Sequence, residues 1–179
     1  CRPLTDYHAY LSDCTAEAIE CFGKIVRETC DKPVGAFYGY IKGAQAAYQG
    51  HLNLQRILNS PYVDFIASPR SYQYCAAGEP GGEQAASQTF NRKKVWLDEL
   101  DSWTHLDPRK RPDTAANMEE TCTLLWREAC KNFAADQNFW WMDLGEGWFD
   151  DEEIMENIRR IFCLGQRLKK APHKSTAQV

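Results

Sequence analysis

Residues 94–105 read Lys94-Val95-Trp96-Leu97-Asp98-Glu99-Leu100-Asp101-Ser102-Trp103-Thr104-His105, and this stretch decides the fold class. A short apolar run, Val95 to Leu97, ends in two carboxylates. An acidic residue released from the end of a buried strand into an aromatic loop suits sugar chemistry, which makes Glu99 the catalytic candidate. Asp98 is its neighbour on the strand, so its side chain points to the opposite face.

Similar strand-like runs lie on both sides. Val34 to Tyr40 follows the helix-breaking Pro33, and Val63 to Ser68 is closed by Pro69. Phe139-Trp140-Trp141-Met142 ends at Asp143. Helical spacing separates them. Cys14, Ala18, Cys21 and Ile25 recur at i, i+4, i+7 and i+11 in a helix from about Cys14 to Thr29, with Phe22 and Val26 on the same side and Ser12 or Asp13 as its cap. Residues 50–58 read as a short helix. Asn117 to Asp136 forms a longer one, capped by Asn117 with Glu120 and apolar along Met118, Cys122, Leu125, Ala129 and Phe133. The last helix is capped by Asp150 with Glu153 and buries Ile154, Ile158, Ile161 and Phe162. The strands are short and almost continuously apolar, as in a parallel sheet covered on both faces. This is an α/β chain, in which a long loop from Arg70 to about Arg92 replaces one crossover.

Composition bounds the function. The 179 residues carry a net charge of −4 and 44% apolar residues, the profile of a folded domain. That balance argues against nucleic acid or an anionic membrane as partner. No apolar run approaches the ~20 residues of a membrane helix. There is no secretory signal and the chain begins at Cys1, so it reads as a processed product or a piece of something longer. Residues 1–170 are expected to form the domain and 171–179 a flexible polar tail. Eight cysteines, none in a C-x-x-C pair, leave buried thiols and disulfides both open and lean toward an oxidising, extracellular setting. No metal-ligand spacing and no cofactor motif is present, and Pro80-Gly81-Gly82 lacks the pattern of a phosphate loop.

Six ordered pieces carry a resemblance: Val34 to Tyr40, Gly50-His51-Leu52, Val63-Asp64-Phe65 with Ser68-Pro69, Pro80-Gly81-Gly82, Trp96 to Glu99, and Trp140 to Gly145. Over residues 10–162 the chain resembles the second half of the catalytic barrel of glycoside hydrolase family 42-like proteins, which include β-galactosidase-like members. The resemblance implies about four βα units of a TIM-type (β/α)8 barrel, with Glu99 at the nucleophile position of the seventh strand. The general acid/base would lie before Cys1, so a missing N-terminal half or another subunit is the implied partner and a carbohydrate the implied ligand. Barrel sites lie at the carboxyl ends of strands, which singles out Tyr38, Tyr40, Ser68, Arg70, Tyr72 and Asp143 as hydrogen-bonding candidates. Trp103, Trp141 and Trp148 are candidates to stack on a sugar face, although whichever of Trp140 and Trp141 points inward is expected in the core. The other implied outcome is a hydrolase-derived subunit that binds carbohydrate or serves a structural role without catalysis.

Overall fold

The computed structural model of the chain describes residues 2–30, 32–39, 44–82 and 94–171. Tyr40, Cys1, the second part of the expected loop (83–93) and most of the expected tail (172–179) lie outside them. The chain is α/β: α1 (Arg2–Cys30), β1 (Gly35–Phe37), α2 (Ala44–Tyr48), α3 (Leu54–Asn59), β2 (Phe65–Pro69), β3 (Val95–Leu100), α4 (Met118–Ala134), β4 (Asn138–Trp141) and α5 (Glu152–Leu168). It divides into two compact units, residues 1–71 with 83–99, and residues 72–82 with 100–179. Within the second unit Met142, just past β4, donates its N–H to the carbonyl of Leu100, the last residue of β3 (3.1 Å).

In the first unit β1, β2 and β3 run parallel, with Ala36 beside Ile66 and Ile66 beside Trp96. Side chains alternate across a strand, so register partners share a face. Ala36, Tyr38, Ile66 and Trp96 pack with Ala16 of α1 and with Leu54, Ile57 and Leu58 of α3. Burying each large aliphatic side chain here contributes roughly 1.5–3 kcal/mol. Phe37 and Val95 have the opposite parity and are about half exposed (52% and 50%). Gly35 has a local reason: a Cβ there would stand 2.0 Å from the Phe65 ring across the β1–β2 pair.

Helix α1 corrects the sequence expectation twice. It begins at Arg2, so Ser12 is no cap; it lies mid-helix with its hydroxyl donating to His8 O (2.8 Å). The buried residues are Ser12, Ala16 and Gly23, while Cys14 and Cys21 are exposed, as are Phe22 and Ile25. The physical reason is close approach. A Cβ on Gly23 would come within 2.7 Å of Tyr62 O, so α1 docks closely through its small residues, with Ile19 packed against the core beside them, and turns Phe22 and Ile25 outward. Cys75 is buried, whereas Cys30, Cys130 and Cys163 are exposed thiols.

The second unit matches the sequence more closely. Asn117 caps α4, its side chain accepting from Glu120 N (3.0 Å). The cap of α5 is Asp151, one residue beyond the expected Asp150, and its carboxylate accepts from Glu153 N and Ile154 N (2.8 and 3.2 Å). Leu125, Ala129, Ile154 and Ile161 form the buried core, with Met118, Phe133, Phe139, Trp141 and Ile158 packed against it. Trp141 is thus the inward member of the tryptophan pair. Phe162 is 63% exposed, unlike its expected place on the buried face.

Loop residues 72–82 are tied to α4 by cations. Arg127 donates to the carbonyls of Cys75, Ala76 and Glu79, and Lys131 to those of Pro80, Gly81 and Gly82. The loop presents carbonyls there, the opposite of what an anion cradle needs.

Candidate functional site

The carboxyl ends of β2 and β3 hold a concentration of buried polar side chains: Ser68, Arg70, Asp98 and Glu99, each no more than 4% exposed. The register sets Ser68 beside Asp98 and Pro69 beside Glu99. Neighbouring strands are ~4.8 Å apart, so the two pairs are close at the backbone. Asp98 shares the parity of Trp96 and Ile66 and so belongs to the face packed by α1 and α3. Glu99 belongs to the other face, with Phe37 and Val95. Arg70 follows Pro69 directly. All three, Arg70, Asp98 and Glu99, have interaction partners.

Tyr38 is not placed to meet a ligand. It is fully buried, its hydroxyl donates to Gly50 O (2.9 Å) and accepts from Asn53 N (3.0 Å), and its ring lies 4.5 Å from that of His51. Its parity explains this, since the residue after Phe37 falls on the helix-facing side. Burial pushes the Tyr38 phenol up and the His51 imidazole down, because both lose hydration of their charged forms. Ser68 has the same parity, and its hydroxyl donates to Pro69 O (3.1 Å). Below these strand ends, Asp64 accepts from Val34 N (2.8 Å) and pairs with Arg27. The Val34 bond comes first among the causes holding its carboxyl below the ordinary range, with the charges of Arg27 and Lys94 adding to it.

The remaining candidates belong to the second unit. The rings of Tyr72 and Trp103 stack on each other at 6.2 Å with planes 7° apart, and the Tyr72 hydroxyl donates to Asp101. The Arg111 guanidinium lies over the Trp103 ring at 4.5 Å. Trp148 is 1% exposed, and the Arg109 guanidinium lies 4.4 Å from its ring centroid. A tryptophan so enclosed packs the loop and offers no open face to a sugar. Asp143 is exposed and shapes the turn before α5, accepting from Gly145 N (3.2 Å) and Trp148 N (3.1 Å). Thus the structure brings Tyr72 together with Trp103, and Asp143 with Trp148, through contacts among themselves.

Two buried carboxylates escaped sequence reasoning. Glu128 on α4 is 1% exposed and accepts from the Ser102 hydroxyl. A signal existed, because Glu128 lies three residues after Leu125 on the helix's buried face. Asp107 is fully buried and accepts from Arg109 N and Nε (3.0 Å each) and from Nη2 (3.2 Å). Burial pushes its carboxyl up, but the Arg109 bonds and the charges of Arg109 and Arg111 hold it below the ordinary value. Nothing in the local pattern marks Asp107 as buried.

Among the described residues no helix is long and apolar enough to cross a membrane, and no three His, Cys, Asp or Glu side chains group as metal ligands. In comparison with known proteins, no family model, no curated protein and no solved structure matches this chain.

Proposed function

We propose that the chain is the second half of a TIM-type (β/α)8 barrel of the glycoside-hydrolase kind, with Glu99 in the nucleophile's place. Completed by its N-terminal half or a partner subunit, it hydrolyses β-glycosides, β-galactosides foremost, by the retaining two-carboxylate route. One observation carries the reading: Glu99 is a buried carboxylate at the carboxyl end of a parallel strand, on the face turned away from α1 and α3. In a closed barrel that face is the interior and that end holds the chemistry.

In the reaction a Glu99 oxygen attacks the anomeric carbon as the bond to the leaving oxygen breaks. A second carboxyl group ~5–5.5 Å away protonates that oxygen, then deprotonates the water that releases the sugar. The second group belongs to the completing segment. Leu4, Tyr7, Tyr10, Phe22 and Ile25, all more than half exposed on α1, support the presence of a partner.

A second reading is favoured by the aromatic side chains. Tyr72 and Trp103 stack on each other and Trp148 is buried, so the expected sugar platforms are used internally. A hydrolase-derived structural or carbohydrate-binding subunit without catalysis fits that use.

A mechanism-based trap separates the two. With 2,4-dinitrophenyl 2-deoxy-2-fluoro-β-galactoside the leaving phenolate needs no proton, so the nucleophile alone forms the glycosyl–enzyme bond. The fluorine then slows its hydrolysis. Mass spectrometry should find the fluorosugar ester on the peptide containing Glu99 in the full source polypeptide, and none in Glu99→Gln. No adduct, or the same adduct in Glu99→Gln, refutes the nucleophile assignment and leaves the non-catalytic reading.

A further inference from the structure

The spacing through Cys14, Ala18, Cys21 and Ile25 predicts a buried face, yet all four residues are exposed on α1. Their pattern runs the length of the helix. Leu4, Leu11, Ala18 and Ile25 recur every seven residues, and Tyr7, Cys14 and Cys21 repeat three places later. These are the a and d positions of a heptad repeat. Leu4, Tyr7 and Ile25 are 57%, 58% and 51% exposed, and Leu11 is half-buried. Glu28 takes the next d position and closes the stripe with a charge in the last turn.

The stripe is separate from the surface that docks α1. Ser12, Ala16 and Gly23 are buried and Ile19 packs on the core. At ~100° per residue the a/d seam lies ~150° away from them around the helix. Along its c and g side it is bordered by Asp6, Asp13, Glu17 and Lys24, all exposed. Phe22 holds an e position on the rim, where a side chain contributes little. A helix that packs on a broad core presents a wider apolar face, whereas a narrow a/d stripe fits another helix.

We propose that this stripe is the contact between two copies of the chain, paired as a short, parallel, in-register two-helix coiled coil. A second copy carries the matching seam by symmetry, since a two-fold contact meets its own surface. From Leu4 to Glu28 the seam is ~36 Å long on a helix ~10–12 Å wide, so pairing covers about 400 Å² of each chain in flat projection. Contoured side chains raise the total toward the ~1,000 Å² of a specific interface, which suits a reversible dimer. Charge chooses the direction, because e and g residues set orientation. In parallel register Glu17 and Lys24 meet the uncharged Phe22 and Thr29. Antiparallel pairing about the middle of the stripe sets Glu17 against its own counterpart.

Every residue of the seam belongs to the first unit. The proposal names the partner that the exposed side chains of α1 call for, and it is independent of the role given to Glu99. A monomer leaves that role standing, and an unmodified Glu99 leaves the dimer standing.

Sedimentation equilibrium of the full source polypeptide, kept reduced, should show a monomer–dimer equilibrium in the micromolar range. Tyr7→Lys and Ile25→Lys should each weaken it at least tenfold, since each sets two cations against one another in the seam. Ala9→Lys, at an exposed position off the seam, should change it less than twofold. Mild oxidation with diamide, which accepts the two protons and two electrons released as two thiols join, should then give Cys14–Cys14 and Cys21–Cys21 links in a peptide map. A link between two copies of one residue joins two chains by necessity. A protein that stays monomeric, a dimer indifferent to both lysine variants, or Cys14–Cys21 links in place of the like pairs overturns the proposal. In a monomer, Cys14 and Cys21 shielded from a maleimide that labels Cys163 would assign the face to another segment of the polypeptide. The linkage map decides the matter should a variant fail to fold.

Discussion

Gly23→Ala tests how α1 docks, and the answer has a sign. In a helix interior the change should stabilise by about 0.8–1 kcal/mol from propensity alone. Here the new Cβ would stand 2.7 Å from Tyr62 O, 3.1 Å from Tyr62 Cβ and 3.3 Å from Tyr62 C. The closest of these is a backbone atom that cannot swing aside, so the helix or residue 62 must move. Overpacking of that kind costs about 1–3 kcal/mol. The expected net result is a loss of about 1 kcal/mol, read as a lower urea midpoint with an unchanged slope. For a chain of this size it corresponds to a thermal midpoint lower by about 2–4 °C. Phe22→Ala is the companion measurement. Phe22 is 67% exposed, so its truncation should fall within about 0.5 kcal/mol of neutral. Were the apolar stripe through Cys21, Phe22 and Ile25 the packed face, the same truncation would cost about 3–5 kcal/mol. A stabilised Gly23→Ala together with a strongly destabilised Phe22→Ala refutes the small-residue interface.

Two further outcomes are expected. Stability should fall on acidification in two stages, measured as the unfolding midpoint between pH 8 and 3. His51 has a depressed pKa, so its contribution is complete above the unfolded value of ~6.5 and is lost as pH falls through the folded one. Asp107 and Asp64 are likewise depressed, so theirs is complete above ~3.9 and lost below it; a midpoint that rises between pH 7 and 5 contradicts the first stage. Tyr38→Phe removes the hydroxyl bridging Gly50 O and Asn53 N and should cost about 1–3 kcal/mol in chemical denaturation. No change in that variant would mean water replaces the bridge at no cost.

How legible was the fold? Periodicity carried the elements whose order depends on local pattern. Residues 95–97 belong to β3, Asn117 caps α4, and Leu125 and Ala129 are buried where the 3.6-residue spacing put them. Ends were less legible. Asp150 and Asp151 both precede a glutamate in the first turn, and only backbone direction chooses Asp151. The candidate site was legible in half. Alternation along β3 correctly separates Glu99 from Asp98, because parity is a property of the strand itself. The same rule applied to Tyr38 and Ser68 would have placed them on the helix-facing side, yet which face the helices cover is a tertiary fact.

What the sequence by itself determined is the α/β class, the run of short apolar strands, and a carboxylate at the end of β3, all consequences of spacing between neighbours in the chain. Tertiary structure alone decided that α1 docks through Ser12, Ala16 and Gly23 and that Trp148 packs beneath Arg109. It also decided that Gln137 is buried with its amide unpaired. These depend on how closely two surfaces approach. A small residue permits a contact that hydrophobicity does not rank, and a polar one is buried or solvated according to residues far away in the chain.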